Sequence, residues 1–124
     1  MSNSKEPDYG NGKICYIEIP TKDITVSEEF YKNSFGWKTR KRTNGSVAFD
    51  DGVGQVSGTW VLGRKPMEEA GLMVYIMVDD IETTMALIEG NGGTIVQLVG
   101  ADHPEITARF IDPMGNVLGL YQQP

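Results

Sequence analysis

The stretch YIEIPTKDITVSEEFYKNSFGW, residues 16–37, decides the fold because the chain repeats its pattern once. When the stretch is moved along the chain until Tyr16 meets Met73, Asp23 meets Asp80, and no gap is needed. Each copy predicts a strand, an aspartate that caps a helix, an amphipathic helix and a glycine that ends it. Two copies at so long a spacing indicate a duplicated module and not a solenoid of short repeats.

A second echo extends the duplication toward the C-terminus. AFDDGVGQVSGTW, residues 48–60, matches RFIDPMGNVLGLY, residues 109–121, at phenylalanine, aspartate, glycine and valine positions, with Trp60 over Tyr121. Together the two echoes predict an α+β fold made of two tandem βαβββ modules.

The echoes also define the predicted domain organisation. Module one covers 13–63, a linker with a proline and several charges covers 64–71, and module two covers 72–122. A chain of 124 residues is too short for two separate cores, so we expect one domain over 13–124. Residues 1–12 offer little that could pack, and we expect them to be flexible or draped over the surface.

Composition narrows the possible partners. A formal net charge of −6 argues against binding to the nucleic-acid backbone. The single cysteine excludes an internal disulfide and fits a reducing compartment. No apolar run approaches the roughly 20 residues that span a bilayer. We therefore expect a soluble, cytoplasmic protein with neither a nucleic-acid nor a membrane partner.

The alternation of the first strand separates its side chains onto two faces. Cys15, Ile17 and Ile19 are expected to lie under the helix, which predicts that Cys15 is a small buried side chain. Tyr16 and Glu18 point to the other face, whose mixed composition suits the lining of a cleft.

The next predicted strand, residues 37–42, is unusually basic, with Lys38, Arg40, Lys41 and Arg42. These charges fit a solvated strand edge that resists aggregation. They also fit a landing site for the anionic end of a substrate, and the residues alone leave both interpretations open. The Asn44-Gly45 pair that follows predicts a tight hairpin.

Four motifs together resemble a known superfamily. They are D-I-x5-F-Y-x3-F-G-W, V-D-D-I, N-G-G and F-x-D-P-x-G-N-x-x-G-L, and with the duplication they cover residues 13–122. This pattern resembles the glyoxalase, bleomycin-resistance and extradiol-dioxygenase superfamily, also called vicinal oxygen chelate proteins. The resemblance implies an open eight-stranded half-barrel cup with both helices outside, and a homodimer. It implies no single function, because one fold hosts many chemistries.

The metal-dependent members resembled here place one ligand on the first and one on the last strand of each module. Carried over to this chain, those positions are Tyr16, Gly58, Met73 and Gly119. None of the four is an ordinary ligand of a divalent metal. We therefore expect no metal at this place and no other cofactor.

Strand parity predicts which residues share the ligand-side face of the sheet. The set is Tyr16, Glu18, Val56, Gly58, Trp60, Met73, Tyr75, Met77, Val117, Gly119 and Tyr121. Its rings and thioethers, with two glycines opposite one another, predict a slot for an apolar or planar small molecule. All of these residues except the two valines are the predicted ligand-binding residues. Alternatively, the side chains fill the cup as a second core.

Two ionisable residues are candidates for proton transfer. Glu18, if surrounded by methionine and aromatic side chains, would have a raised pKa and could act as a general acid or base. It could equally anchor a cationic group of a ligand or lie at the rim in water. His103 lies in the predicted 100–105 loop, either as a surface residue or, if the loop covers the cup, as a proton-transfer group.

Three functions follow from these residues. The first is a glyoxalase/bleomycin-resistance-like protein that lacks the usual metal ligands and binds a small molecule in an aromatic cup. The second is a glyoxalase-related lyase or isomerase in which Glu18 and His103 transfer protons. The third is a degenerate member whose cup is closed and whose remaining role is dimer formation.

Overall fold

The fold is α+β and contains two βαβββ modules, as the duplication predicts. The structure is a computed structural model that describes residues 6–68 and 71–124. Residues 1–5 of the predicted N-terminal segment and residues 69–70 of the predicted linker lie outside the described residues. The elements of the first module are β1 (Tyr16–Pro20), α1 (Ile24–Phe35), β2 (Lys38–Lys41), β3 (Val47–Asp50) and β4 (Ser57–Val61). Those of the second are β5 (Tyr75–Met77), α2 (Ile81–Gly90), β6 (Thr94–Gln97), β7 (Ile106–Ile111) and β8 (Val117–Gln122).

The two repeated aspartates begin the two helices. Asp23 accepts a hydrogen bond from the backbone N–H of Val26 at 3.2 Å, and Asp80 accepts one from Thr83 at 3.1 Å. Each carboxylate satisfies a backbone donor that has no partner within the helix. Gly36 follows α1 with φ of 72°, a left-handed conformation that glycine adopts without strain.

The eight strands form two four-stranded sheets. Sheet one has the order β1-β4-β3-β2, and sheet two has the equivalent order β5-β8-β7-β6. In each sheet the first and last strands of the module pair in parallel, and the remaining neighbours are antiparallel. No pairing within the described residues joins the two sheets.

Both sheets share one core, and α1 contacts both of them. The Phe30 ring lies 6.0 Å from Phe110 of β7, while Tyr31 stacks 4.6 Å from Trp37 and lies 5.9 Å from Trp60 of β4. The faces of the two sheets that bury apolar side chains therefore look toward each other across the helices. We call these the inner faces. The opposite faces, called the outer faces below, point away from each other within one chain.

A buried polar network links the two modules. The Tyr31 hydroxyl donates to Oδ2 of Asp112 at 2.8 Å, and the Asn116 side chain donates to the same oxygen and to the carbonyl of Pro20. Burial, and after it the Asp112 carboxylate, raises the pKa of Tyr31 well above its ordinary value. These bonds tie α1 and the end of β1 to the turn between β7 and β8.

Cys15 is exposed, so the prediction that it is buried is wrong. The paired part of the first strand starts only at Tyr16, and Cys15 precedes it. Its backbone carbonyl still accepts a hydrogen bond from Ser57, but its side chain lies outside the shared core.

Within the described ranges, no helix combines the length and the apolar composition that crossing a bilayer requires.

Candidate functional site

The outer face of sheet two presents two adjacent rows of side chains. Strand pairing places Tyr75 beside Gly119, and Gly119 beside Arg109. In the next row Met77 pairs with Tyr121, which pairs with Thr107. Tyr75 is 42% exposed and Met77 64% exposed, although apolar side chains of this size are usually buried.

These side chains line an open groove of about 310 Å³. Its walls are Tyr75, Met77, Glu105, Thr107 and Tyr121. Two phenol rings and a thioether supply the apolar surface, and Glu105 and Thr107 supply polar groups at one side. This composition is typical of small-molecule sites, which combine apolar walls with a few polar groups.

Gly119 makes room for the ring of Tyr75. A Cβ atom at this position would lie 2.5 Å from Cδ2 and Cε2 of Tyr75, far inside van der Waals contact. The phenol ring therefore lies directly on the backbone of β8, and any larger residue at 119 would displace it from the groove.

Gly58 and Trp60 are not on the outer face, so their predicted place in the cup is wrong. Trp60 is 2% exposed and its ring lies 4.7 Å from that of Phe49 in the core. A Cβ atom at Gly58 would lie 2.3 Å from Cζ of Phe49 and 2.2 Å from the carbonyl oxygen of Ile17. Val56 precedes β4 and lies in the turn.

The error comes from the length of one turn. Paired residues Asp50 and Ser57 in module one are separated by six residues, whereas Ile111 and Val117 in module two are separated by five. Because successive side chains of a strand alternate between faces, one extra residue exchanges the two faces of β4. The ungapped match of Trp60 with Tyr121 therefore conceals a change of face.

The outer face of sheet one is polar. Here Glu18 pairs with Thr59, and Tyr16, 41% exposed, pairs with Ser57. A bidentate ion pair joins Arg40 to Asp50, with its shortest contact at 2.8 Å. Hydrogen bonds from this guanidinium lower the pKa of the Asp50 carboxyl.

Glu18 is not surrounded by methionine and aromatic side chains. It forms an ion pair with Arg64, and both side chains are substantially exposed. The apolar surroundings that the proton-transfer prediction requires are therefore absent. Its predicted neighbours Tyr75 and Tyr121 belong to sheet two, whose outer face points the other way.

His103 is exposed in the loop before β7 and is not among the groove residues. The ionisable residue that the sequence reasoning missed is Glu105. It has the same strand parity as Thr107, so extending the alternation of β7 by one step would have identified it.

Met73 is partly buried and precedes β5, so no strand pairing defines its face. Of the predicted ligand-binding residues, the structure brings together Tyr75, Met77, Gly119 and Tyr121. It places Tyr16 and Glu18 on the other sheet.

The two outer faces do not fit the metal site that the resemblance implies. With the corrected register, Ser57 and Thr59 lie beside Tyr16 and Glu18 on sheet one. Glu18 is the only carboxylate among them, and Arg64 already binds it. Throughout residues 6–68 and 71–124, no three His, Cys, Asp or Glu side chains form a group that could hold a metal. Zinc sites in proteins use three or four such ligands.

Comparisons with known proteins support the fold. Residues 13–120 match the sequence profile described as Glyoxalase/Bleomycin resistance protein/Dioxygenase superfamily. A glyoxylase-like domain-containing protein from Didymella fabae is 28% identical over 130 aligned residues, which cover 92% of this chain and 96% of the relative.

Two solved structures illustrate the structural similarity. The fosfomycin resistance protein FosX from Listeria monocytogenes superposes with a TM-score of 0.76 at 13% identity, covering 91% of this chain and 92% of its own. TnmS3, an antibiotic binding protein from Streptomyces sp. CB03234, superposes with a TM-score of 0.71 at 20% identity, covering 94% and 100%. At such low identities these similarities concern the fold alone.

Proposed function

Since the chain belongs to the glyoxalase/bleomycin resistance protein/dioxygenase superfamily, we propose that it is a binding protein for an apolar or planar small molecule. The ligand lies in the groove on the outer face of sheet two, against the rings of Tyr75 and Tyr121 and the thioether of Met77. The observation that carries this proposal is the open, ring-lined groove itself. An aromatic ligand would bury apolar surface there and stack on the phenols.

The protein acts as a homodimer in this proposal. Within one chain the outer faces of the two sheets point away from each other, so a single copy has only half of the cup that the sequence predicts. A second copy can place its polar outer face, with Tyr16 and Glu18, opposite the aromatic groove of the first. The exposure of Tyr16, Tyr75 and Met77 supports this arrangement, because burying them would stabilise the dimer.

Proton transfer by Glu18 and His103 has less support. Arg64 binds Glu18, and His103 does not line the groove. A closed cup also has less support, since the groove offers about 310 Å³ of open space. That volume lies at the lower end of the range for small-ligand sites.

A fluorescence titration with the neutral probe N-phenyl-1-naphthylamine tests the binding proposal. We expect saturable binding by the wild-type protein and an affinity lower by about tenfold in Tyr75→Ala and in Tyr121→Ala. Tyr9→Ala is the matched control. Tyr9 is equally aromatic, but it lines a separate groove with Lys13 and Cys15. Binding that depends on Tyr9 and not on Tyr75 would contradict the proposal.

Light scattering tests the dimer. The expected mass is twice the 13.7 kDa of one chain. Met77→Glu puts a charge on the aromatic outer face and is expected to shift the mass toward the monomer, whereas Leu98→Glu, at an exposed residue outside the groove, is the control. A wild-type protein that remains monomeric at all concentrations would rule out the shared cup.

A further inference from the structure

Arg109 occupies the centre of the outer face of sheet two. On β7 it pairs with Gly119 of β8 on one side and with Gln97 of β6 on the other. It is the one charged side chain among the paired outer-face residues of this sheet. Those residues are Tyr75, Met77, Thr94, Gln97, Thr107, Arg109, Ile111, Val117, Gly119 and Tyr121.

The guanidinium of Arg109 has a donor without a partner. Its Nε atom is buried and forms no hydrogen bond with any residue that the structure describes. An arginine side chain is permanently charged and has five N–H donors, and buried donors in folded proteins are nearly always bonded. The residue as a whole is only partly buried, so an acceptor from outside the chain can approach the exposed part of the guanidinium.

Two other arginines pair with carboxylates in the way that Arg109 does not. On sheet one, Arg40 forms a bidentate pair with Asp50, and Arg64 pairs with Glu18. Arg109 has no such carboxylate within the described residues. Next to it lies the backbone of Gly119, on which the ring of Tyr75 rests. A charged donor and an aromatic ring are therefore adjacent on the face that carries the proposed groove.

We propose that Arg109 binds an anionic group of the ligand, a carboxylate or another oxyanion. This inference rests on the proposed function and narrows it: the ligand is an amphiphilic anion whose flat apolar part lies on the rings of Tyr75 and Tyr121. A guanidinium recognises a carboxylate through two parallel hydrogen bonds, which orient the ligand as well as hold it.

Two charged residues give the ligand a direction. Glu105 lines the groove just before β7, and Arg109 lies four residues further along the chain, within β7. An anion is repelled by Glu105 and attracted by Arg109. The anionic end therefore points toward the middle of sheet two, and the apolar end points toward the start of β7.

Calorimetric titration with two matched probes tests this inference. The probes are 2-naphthoate and 2-naphthalenemethanol, which share the same rings and differ in charge. We expect the wild-type protein to prefer the carboxylate by at least about tenfold. Arg109→Gln should lose that preference and still bind the alcohol. Arg42→Gln changes the net charge equally at an exposed residue and should keep the preference.

Arg109→Lys keeps the charge without the bidentate geometry, and we expect it to retain an intermediate preference. Equal binding of both probes by the wild-type protein would overturn the role of Arg109 and leave the proposed function intact. Failure of both probes to bind would instead overturn the proposed function. If Arg109→Gln keeps the probe preference but becomes monomeric, Arg109 binds a carboxylate of a second copy, and the inference is wrong.

Discussion

The last strands of the two modules, β4 and β8, have similar sequences but present them to opposite sides of their sheets. Trp60 of β4 packs in the core, whereas its sequence counterpart Tyr121 of β8 lines the outer groove. The difference arises from one extra residue in the preceding turn of module one. In a duplicated fold, therefore, residues that match in sequence can differ in burial and in the face of the sheet on which they lie.

The two modules differ in character as a result. In sheet one, Trp60 of β4 packs in the core, and the outer face carries hydroxyl groups and ion pairs. Sheet two uses Leu118 and Leu120 for the core and keeps Tyr121 free for the outer face. The two sheets thus differ in what their outer faces present, polar groups in sheet one and aromatic rings in sheet two. Four sets of variants test this difference and the contacts that hold the two modules together.

The largest expected effect is at Trp60. Trp60→Ala would remove a fully buried ring that packs on Phe49 and Tyr31, so we expect a loss of about 3–5 kcal/mol in the free energy of unfolding. Tyr121→Ala, its counterpart, should cost about 1 kcal/mol because the ring lies at an open groove. Urea unfolding of the two variants measures both. Equal losses would contradict the exchange of faces.

The two glycines give the next contrast. Gly58→Ala would push a methyl group against the Ile17 carbonyl and the buried Phe49 ring, and overpacking of this kind costs about 1–3 kcal/mol. In Gly119→Ala the three atoms nearest the added methyl group all belong to the ring of Tyr75, which can swing outward, so the cost should stay below about 1 kcal/mol. The same variant should weaken binding of the naphthyl probes. A more destabilising Gly119 variant would show that the Tyr75 ring is locked in place.

Tyr31 joins the two modules, and its effect depends on pH. Tyr31→Phe removes one donor from Asp112, while the Asn116 donor remains, so we expect a loss of about 1–3 kcal/mol at neutral pH. The pKa of Tyr31 is raised in the folded state, so folding favours the protonated hydroxyl. The protonated hydroxyl therefore contributes to the free energy of unfolding in full below about pH 10, the ordinary pKa of tyrosine. This contribution is lost as the pH rises further.

Thermal unfolding between pH 8 and pH 11 checks this prediction. The wild-type protein should lose stability above about pH 10 more steeply than Tyr31→Phe. Parallel curves for the two proteins would show that the hydroxyl does not couple the modules in this way.

The smallest effect is expected at the ion pairs of sheet one. Arg40→Ala and Arg64→Ala each break a pair that is exposed to solvent, and such pairs contribute about 0–1 kcal/mol. The pKa of Asp50 is lowered, so its contribution is present above its ordinary range near pH 4 and is lost as the pH falls. Urea unfolding of the two variants at low and high salt measures the contribution of each ion pair. A loss above about 2 kcal/mol would show that the outer face of sheet one is more than a solvated surface.

Part of the candidate site could be read from the sequence. Strand parity identified Tyr75, Met77, Gly119 and Tyr121 as neighbours, because alternation is a local property that the pairing of β5 with β8 preserves. Extending it by two residues would have added Glu105. The same reasoning failed for Trp60, because parity counted across a turn depends on the turn length, which the ungapped repeat concealed.

The sequence by itself determined the duplicated βαβββ order, the two aspartate caps and the glycine that ends the first helix, because each depends on backbone hydrogen bonds and torsion angles within a few residues. Only the tertiary structure decided that the two outer faces point apart, that β4 turns its tryptophan inward and that Arg109 has a buried donor without an acceptor in the described chain. These features depend on contacts between segments far apart in the chain, where the burial of large rings outweighs the local pattern.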